Sequence, residues 1–503
     1  MNLNRASSVS RPICLLCNIR TLASLGVMLL SVLHLTAQDR FDSVRTLIRQ
    51  RIVDGSVPSV SVAVAQHGKI VWEEGFGWAN REERIPATEN TMYSLASISK
   101  PFTATALMTL VQAGKIDLDK PINDYLGDAK LVARIGNAND ATVRRVANHS
   151  SGLPLHYQFF FSNEPYEKPS YDETILRYGN LVAIPGERYQ YSNLGFGFIG
   201  YALTRISAES YPDFMRQAVF LKLNLTHTSV GIGPGLEKFQ AIRYDSKGLP
   251  IPPYDFDHPA ASAIYSSAHD LVRFSMFHLK DHLADQAQIL TDASIDAMHQ
   301  PTMKISDNHG YGIGWFTEDR PDGYHTVSHT GGMPGVATIL MLEPSEDIAV
   351  AVLINELNRN AIVDVSNAIM KVLLPKWQTI PIKPDTPAPF TPGPDLLGTW
   401  KGTLHTYQQD LPVALKFLPS GDVHIQVSDE LESVMNHVEF KDGWLTGDAW
   451  GDVRTDDAER HRANTLLFSL KLRGNHINGA ASATENENNP VALTQWLDVE
   501  KQP

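Results

Sequence analysis

Residues 97–114 read SISKPFTATALMTLVQAG, a short polar string followed by an apolar helical run. Pro101 suits the first turn of a helix, where its missing N–H does no harm, and Gly114 is a typical helix stop. With Ser97 at that N-terminus, Lys100 lies one turn away on the same face. The positive helix end and the amine both favour an alkoxide at Ser97. The stretch predicts a nucleophilic serine; a capping serine with a solvated lysine is the alternative.

A second polar string, Tyr191-Ser192-Asn193, follows the turn-forming pair Pro185-Gly186. A phenol with an ordinary pKa of about 10 is a poor base at neutral pH, but a neighbouring lysine cation would favour its phenolate form. Tyr191 could then take the serine proton. The amide of Asn193 offers a donor and an acceptor, so it could hold a lysine and a substrate carbonyl at once. A loop tyrosine packed on the core is the alternative.

The third string, SHTGG at residues 328–332, lies at the end of a predicted strand. Its glycines would let a substrate approach the backbone closely. The backbone N–H of Gly332, paired with that of Ser97, would form an oxyanion hole. Thr330 and a protonated His329 could bind a substrate carboxylate. A neutral His329, satisfied by its neighbours, is the alternative.

The strings S-x-x-K, Y-x-N and H-T-G occur in an order that resembles the serine β-lactamase and penicillin-binding protein superfamily. Their form looks like that of class C β-lactamases, DD-carboxypeptidases and family VIII esterases. Three further strings resemble the same group: NHSSGLP at 148–154, IYSSAHDL at 264–271 and YGIGW at 311–315. The resemblance covers roughly residues 40–375. It implies an α+β fold (an α/β sandwich), with an antiparallel sheet flanked by helices, a helical subdomain, and the site between them.

Carried over by position, the resemblance implies that Ser97 is the nucleophile and that Lys100 and Tyr191 are the general base and acid. Asn193 would hold the substrate carbonyl. Which of Lys100 and Tyr191 is the principal base stays open. No metal and no cofactor is predicted.

The resemblance also implies that His329, Thr330 and Gly331 line the sheet edge, with the N–H of Gly332 completing the oxyanion hole. One departure matters, because β-lactamases usually carry Lys where His329 stands, whereas some DD-peptidases and esterases carry His. Loss of a permanent cation weakens the case for a penicillin carboxylate. The expected reaction is therefore cleavage of a small peptide, amide or ester through an acyl-enzyme, with β-lactam hydrolysis as the alternative.

Composition limits the partners of the chain. A net charge of −13 argues against nucleic acid, because phosphate binding needs a basic surface. A small-molecule, peptide or ester substrate is expected instead. The length of 503 residues is too great for one ordinary core. At least two domains are predicted, and the oligomeric state stays open.

Residues 1–37 have the layout of a cleaved secretory signal peptide. Three arginines precede an apolar run over residues 22–35, and the segment ends on the small residue Ala37. This run of about 14 residues is shorter than the roughly 20 that span a bilayer. No stable membrane span is expected after cleavage, and an uncleaved anchor is the alternative. Cys14 and Cys17 both fall in this segment, so the mature protein, periplasmic or secreted from a bacterium, would lack thiols.

Three parts are predicted beyond the signal peptide. Residues 38–376 form the hydrolase domain, and 377–395 form a linker whose prolines exclude a helix. Residues 396–503 form a small antiparallel, barrel-like β domain, since apolar residues alternate over 413–417 and 423–427.

The two ends of the hydrolase domain are predicted to meet in one sheet. Helical spacing over residues 41–53 precedes a hairpin over residues 60–72. Alternating strands at 336–342 and 348–354 precede a last helix over residues 360–374.

Other classes of function have less support. A non-catalytic protein that binds cell-wall peptides or a partner through its β domain would be a decayed enzyme, yet Ser97 and Lys100 both remain. The chain has no G-x-S-x-G elbow of an α/β-hydrolase. It also has no H-E-x-x-H motif, and His149, His156 and His258 have no ligand-like spacing.

Overall fold

The computed structural model describes residues 40–380, 389–485 and 491–503. The predicted signal peptide, residues 1–37, lies outside these ranges, as does the middle of the predicted linker. Within the described ranges no helix is long and apolar enough to cross a membrane. The division of the chain at residues 377–395 stays a prediction.

Helices and strands alternate irregularly along the first described range. The helices are α1 (Asp42–Val53), α2 (Ser99–Gln112), α3 (Val143–Ala147), α4 (Tyr171–Tyr178), α5 (Asn193–Ser207), α6 (Tyr211–Met215), α7 (Pro259–Ser262), α8 (Ala268–Leu279), α9 (Asp292–His299) and α10 (Arg359–Leu373). The strands are β1 (Ser59–Gln66), β2 (Lys69–Asn80), β3 (Ile85–Pro86), β4 (Tyr93–Ser94), β5 (Val132–Ala133), β6 (Phe159–Phe161), β7 (Asn180–Leu181), β8 (Thr228–Val230), β9 (Tyr254–Phe256), β10 (Ile264–Ser266), β11 (Met303–Lys304), β12 (His309–Tyr311), β13 (Phe316–Asp319), β14 (His325–Met333), β15 (Val336–Glu343) and β16 (Ile348–Ile354). Helices α1 and α10 lie within one residue of their predicted bounds.

Strands from both ends of this range form one sheet in the order β11-β12-β13-β14-β15-β16-β1-β2-β3. Each neighbouring pair in it is antiparallel. At the centre β1 pairs with β16, with Val62 opposite Val352. The prediction that the two ends meet in one sheet is therefore confirmed.

The two faces of the central strands pack against different helices. In β1, Val60, Val62 and Val64 belong to the core that includes α1 and α10. The alternate residues Ala63 and Ala65 belong to the core on the opposite face, which includes α8. Because side chains alternate across a strand, a continuous apolar run supplies both cores.

Helix α2 is buried on nearly all sides because it lies among the other helices of this subdomain. Its Phe102 ring stacks on Phe274 of α8, with ring centroids 3.8 Å apart. Thr103 Oγ1 donates to the carbonyl of Ala260 in α7 at 2.6 Å. The predicted sandwich of an antiparallel sheet and a helical subdomain is thus confirmed, with the start of α2 close to the sheet.

Nine further strands form a second antiparallel sheet, which is nearly closed and barrel-like. They are β17 (Gly398–His405), β18 (Asp410–Phe417), β19 (Val423–Val427), β20 (Ser433–Val434), β21 (Asn436–Lys441), β22 (Trp444–Trp450), β23 (Thr465–Arg473), β24 (His476–Thr484) and β25 (Ala492–Lys501), with helix α11 (Asp456–His461) between β22 and β23. The order is β20-β19-β18-β17-β25-β24-β23-β22-β21. Since β20 and β21 follow each other in the chain but lie at opposite edges, the sheet must curve round on itself. The predicted barrel-like fold of this part is confirmed.

Strand β14 is longer than predicted and continues through the SHTGG string instead of ending there. A Cβ atom at Gly331 would lie 2.1 Å from the carbonyl oxygen of Leu95 and 2.2 Å from Oγ1 of Thr338. A glycine is required at this position because the strand passes directly against the chain that leads into α2.

A buried carboxylate links the barrel-like part to helix α4. Asp457, at the start of α11, accepts hydrogen bonds from the hydroxyls of Tyr178 at 2.7 Å and Tyr407 at 3.1 Å, and from Arg177 at 3.2 Å. Burial raises the pKa of Asp457, but these donors outweigh that effect and hold the pKa below its usual range. The carboxylate is therefore ionised at neutral pH.

We expect Asp457→Ala to lower the free energy of unfolding at pH 7 by about 1–3 kcal/mol, because two tyrosine hydroxyls lose their acceptor. Since the folded pKa of Asp457 is depressed, its contribution is present at neutral pH and is lost as the pH falls through the folded pKa. The gap between wild type and variant should therefore close in acid. Urea unfolding followed by tryptophan fluorescence measures both effects. The exposed neighbour Asp456, changed to Ala, is the control, and an equal effect there would contradict the assignment.

Candidate active site

Ser97 lies in a short 3-10 turn, Ala96–Ile98, immediately before α2. Ala96 has a φ of +48°, which is uncommon for a residue with a side chain. The turn is held from both sides. The N–H of Leu95 donates to the carbonyl of Ile264 in β10 at 2.8 Å, and the carbonyl of Leu95 accepts from Thr338 Oγ1 of β15 at 3.0 Å. Two strands therefore fix the approach of the chain to Ser97.

The amine of Lys100 is fully buried beside this turn. Its Nζ lies 3.0 Å from Ser97 Oγ, 2.8 Å from Asn193 Oδ1 and 3.2 Å from the carbonyl oxygen of Ala261. No carboxylate of the described residues lies within ion-pair distance of Nζ. Burial therefore lowers the pKa of Lys100 well below its usual range, which favours the neutral amine.

Tyr191 completes a cluster with the other two side chains. Its hydroxyl lies near the side chain of Ser97, and its ring centroid lies 4.8 Å from Lys100 Nζ. Burial raises the pKa of Tyr191, although the hydrogen bond to Ser97 and the charge of Arg359 oppose the shift. The prediction of a Tyr191 phenolate beside a lysine cation was therefore wrong. Lys100 is fully buried and Tyr191 is partly buried, so each prefers its neutral form.

Asn193 is the first residue of α5, and the cap of that helix sets its direction. Ser192 Oγ accepts from the N–H of Gly195 at 3.0 Å, which is a normal helix cap. The N–H of Ser192 in turn donates to Nδ1 of His149 at 3.1 Å, and the His149 and Tyr191 rings lie 4.3 Å apart. The string at residues 148–154 thus supports the Y-x-N string from behind.

His329 is buried in β14 and differs from its predicted state. Its Nδ1–H donates to the carbonyl of Thr330 at 2.7 Å, and its Nε2 lies 3.0 Å from the hydroxyl of Tyr311. Burial, assisted by the nearby Lys100, lowers the pKa of His329 to about 3. The prediction that His329 is protonated was therefore wrong. A buried imidazole with two neutral partners has no counter-charge to stabilise its protonated form.

These side chains line one cleft of about 380 Å³ between the sheet and the helical subdomain. It contains most of the predicted site residues: Ser97, Tyr191, Asn193, His329, Thr330 and Gly332. Lys100 lies beneath them, and Gly331 lies behind the sheet edge against Leu95. Segments that are roughly a hundred residues apart in the chain therefore meet at one place.

Arg359, the first residue of α10, also lines the cleft, and no motif in the sequence predicted it. A Cβ atom at Gly332 would lie 2.6 Å from its Nη2, so the guanidinium sits over the backbone of β14. No acidic side chain of the described residues forms an ion pair with it. The one local signal is a cation at a helix N-terminus, where the helix dipole disfavours it. The cleft thus has a permanent cation, although His329 is not one.

The second sheet holds two walls of this cleft. Thr494 Oγ1 of β25 donates to the carbonyl of Leu155 at 2.7 Å. Arg188 lies three residues before Tyr191, and its guanidinium is 3.7 Å from the ring centroid of Trp444 in β22. The barrel-like part therefore contacts the segments that carry cleft residues while supplying none of the predicted catalytic groups.

Two histidines without ligand-like spacing in the sequence meet in the fold. His156 Nε2 and His258 Nδ1 contact the two carboxylate oxygens of Asp257 at 2.7 and 2.6 Å, and all three residues are buried. Their ligand atoms lie within 4.8 Å of one another. Residues 156 and 257 are too far apart in the chain for a spacing rule to pair them.

An antiparallel sheet packed on helices, with the S-x-x-K serine at their junction, is the β-lactamase/transpeptidase fold. The Beta-lactamase family model matches residues 44–372, and the chain belongs to this family of serine hydrolases. Penicillin-binding protein 4* of Bacillus subtilis (strain 168) is 26% identical over 303 residues, which are 56% of this chain and 64% of the relative. Protein flp of Staphylococcus aureus (strain MRSA252) is 24% identical over 322 residues, 63% of each chain. The match spans less than two thirds of either relative.

Solved structures show the same fold. An octameric penicillin-binding protein homologue from Pyrococcus abyssi has a TM-score of 0.57 at 21% identity, covering 90% of this chain and 99% of that one. SurE has a TM-score of 0.61 at 20% identity, covering 92% and 99%. A class C beta-lactamase has a TM-score of 0.58 at 21% identity, covering 66% and 96%. The first two likenesses extend over the second sheet as well.

We expect the ring protons of His329 not to titrate between pH 8 and 5, because its pKa of about 3 keeps the imidazole neutral throughout. His269 is the internal control, since its hydrogen bond to Glu73 raises its pKa and its signals should shift as the pH falls. Histidine NMR spectra, assigned with the His329→Gln variant, measure this. A midpoint for His329 above pH 6 would contradict the neutral assignment.

Proposed function

We propose that the protein is an exported serine hydrolase that forms an acyl-enzyme on Ser97 and cleaves a small peptide, amide or ester. The observation that carries the proposal is the buried amine of Lys100, 3.0 Å from Ser97 Oγ and without an acidic partner among the described residues. Export rests on the sequence of residues 1–37 alone.

Lys100 is the better base of the two candidates. A neutral amine has two N–H groups, which can donate to Asn193 Oδ1 and to the carbonyl of Ala261. Its lone pair is then left for the hydroxyl proton of Ser97. Tyr191 has a raised pKa and keeps its proton, so it serves as the acid that protonates the leaving group. The carbonyl oxygen of the substrate would lie between the N–H groups of Ser97 and Gly332.

The cleft favours a substrate that carries a carboxylate beside its scissile bond. Thr330 is exposed on the edge of β14, and Arg359 lies over Gly332 close by. An Arg guanidinium binds carboxylates through two parallel hydrogen bonds. A solved relative is SurE with D-Leu, and a curated relative is a penicillin-binding protein. Both names fit a short peptide with a free carboxyl end.

β-Lactam hydrolysis is a second candidate, and Arg359 is the observation that favours it. The loss of lysine at the position of His329 argues against a β-lactam carboxylate only if no other cation is present. Arg359 supplies one from a different segment. A non-catalytic binding role has less support, because a binding protein has no need for a buried amine next to a serine hydroxyl.

Ser97→Ala should abolish turnover of p-nitrophenyl esters and labelling by a fluorophosphonate, because no other serine hydroxyl among the described residues of the cleft is hydrogen-bonded to an amine. Mass spectrometry of the labelled protein should place the adduct on Ser97. Ser420→Ala, in an exposed turn of the second sheet, is the control and should keep both activities. Burst kinetics that persist in Ser97→Ala would contradict the proposal.

Arg359→Gln should lower kcat/KM for a peptide with a free carboxyl end by about 10- to 100-fold, as expected for a lost charge-assisted hydrogen bond of about 1.5–3 kcal/mol. The same peptide with an amidated end should be cleaved at a rate that the substitution changes little. Arg216→Gln, at an exposed arginine outside the cleft, is the control. An equal loss for both peptides would show that Arg359 does not recognise the carboxylate.

A further inference from the structure

A chain of three buried polar side chains ends at the wall of the cleft. His156 Nε2 lies 2.7 Å from Asp257 Oδ2, and His258 Nδ1 lies 2.6 Å from Asp257 Oδ1. The three side chains are 0%, 0% and 1% exposed. His258 itself lines the cleft together with Ser97 and Asn193.

The hydrogen bonds assign the protons of His258. Burial raises the pKa of Asp257, but the two histidines outweigh this effect and lower it far below its usual range, so it is a carboxylate. Burial lowers the pKa of His258 despite the carboxylate, with smaller contributions from His156 and Lys100. A carboxylate only accepts hydrogen bonds, so Nδ1 of the neutral imidazole carries its proton. Its Nε2 therefore presents a lone pair.

That lone pair accepts no hydrogen bond from the described residues. Nε2 of His258 has no hydrogen-bond partner among the described residues, and it is not one of their buried polar atoms without a partner. It is thus the atom through which His258 reaches the cleft. A histidine whose Nδ1–H is held by a buried carboxylate has a fixed tautomer. The carboxylate of Asp257 also opposes the loss of basicity that burial causes at His258.

The acyl-enzyme reaction leaves one role without an assigned residue. Lys100 contacts Ser97 Oγ and Tyr191 lies near it, and this atom becomes the ester oxygen of the acyl-enzyme. The water that hydrolyses the ester needs a base that faces the acyl carbon from another side. His258 immediately precedes α7 and lines the same cleft as Ser97, on a different segment from the sheet strand β14.

We propose that His258 is the general base of the second half-reaction, the hydrolysis of the acyl-enzyme, and that Asp257 is its positioning residue. His156 anchors Asp257 from behind. This inference rests on the proposed acyl-serine reaction, and it assigns a step that the three motif strings leave open.

Before hydrolysis, the proton that Lys100 took from Ser97 passes to Tyr191, which gave its own proton to the leaving group, so that both groups are neutral again. Water oxygen bonds to the acyl carbon while one water proton passes to Nε2 of His258. The bond between the acyl carbon and Ser97 Oγ then breaks, and Oγ takes a proton from the Tyr191 hydroxyl. Tyr191 recovers a proton from the carboxylic acid product, which leaves as a carboxylate. His258 releases its proton to solvent.

The test separates the two half-reactions with a p-nitrophenyl ester, whose coloured leaving group is released on acylation. In His258→Gln the burst of nitrophenol should stay close to one per active site, with its rate within about threefold of wild type. The steady-state rate should fall by about 100-fold or more, as for a lost general base. Intact-protein mass spectrometry should then show the acyl-enzyme accumulating.

Asp257→Asn is the second variant, because an amide there no longer fixes the tautomer, and it should show the same split to a smaller extent. His278→Gln is the matched control, since His278 is also a buried histidine, bonded to Thr105 and outside the cleft. It should alter thermal stability without separating burst from steady state. That difference excludes a general effect of removing a buried imidazole.

Several outcomes would overturn the role of His258. Equal losses in burst and steady-state rates would show a structural role, and an unchanged steady-state rate would show none. Stoichiometric zinc in the purified protein would make Nδ1 a metal ligand, so that Asp257 could not hold its proton. If wild type shows no Ser97 adduct at all, the proposed function itself fails. If the adduct forms and only the His258 effect is missing, this inference alone fails.

Discussion

The burial of one amine constrains the whole site. Lys100 Nζ contacts oxygens from the Ser97 turn, from the start of α5 and from α7, and water does not reach it. An ammonium ion in this place would lack both solvent and a counter-ion, so the neutral form is favoured. Each of the three contacts comes from a different segment, and the amine is satisfied only when all of them are folded together. Under the proposed function, the fold that satisfies this amine is also the fold that places it beside Ser97.

The sheet contributes through close backbone approach. Strand β14 passes so near Leu95 that residue 331 has no room for a side chain, and this contact sets the distance from the sheet edge to Ser97. The neighbouring Gly332 leaves space for the guanidinium of Arg359. A rigid strand on one side and a helix N-terminus on the other thus define where a carbonyl and a carboxylate can lie. The second sheet stabilises the remaining walls through Leu155 and Arg188.

Two histidines that line the same cleft show how environment decides chemistry. His329 has both ring nitrogens occupied by a carbonyl and a tyrosine hydroxyl, so it orients its surroundings and has no free lone pair. His258 has one nitrogen on a carboxylate and the other facing the cleft. The residue type is the same in both places. Only the second has the arrangement that general-base chemistry requires.

The sequence by itself determined the secondary structure near both ends of the hydrolase region, the alternating strands of the second sheet, and the three strings that meet at Ser97. These features follow from the spacing of residues along the chain, which can be recognised without the fold. Tertiary structure alone decided the protonation of Lys100, Tyr191 and His329, because a pKa depends on the removal of water and on charges that approach through space. It also decided that Arg359 enters the cleft and that His156, Asp257 and His258 join. No motif in the sequence connects His156 with Asp257 or places Arg359; only the packing of the helices against the sheet brings these residues to the cleft and its wall.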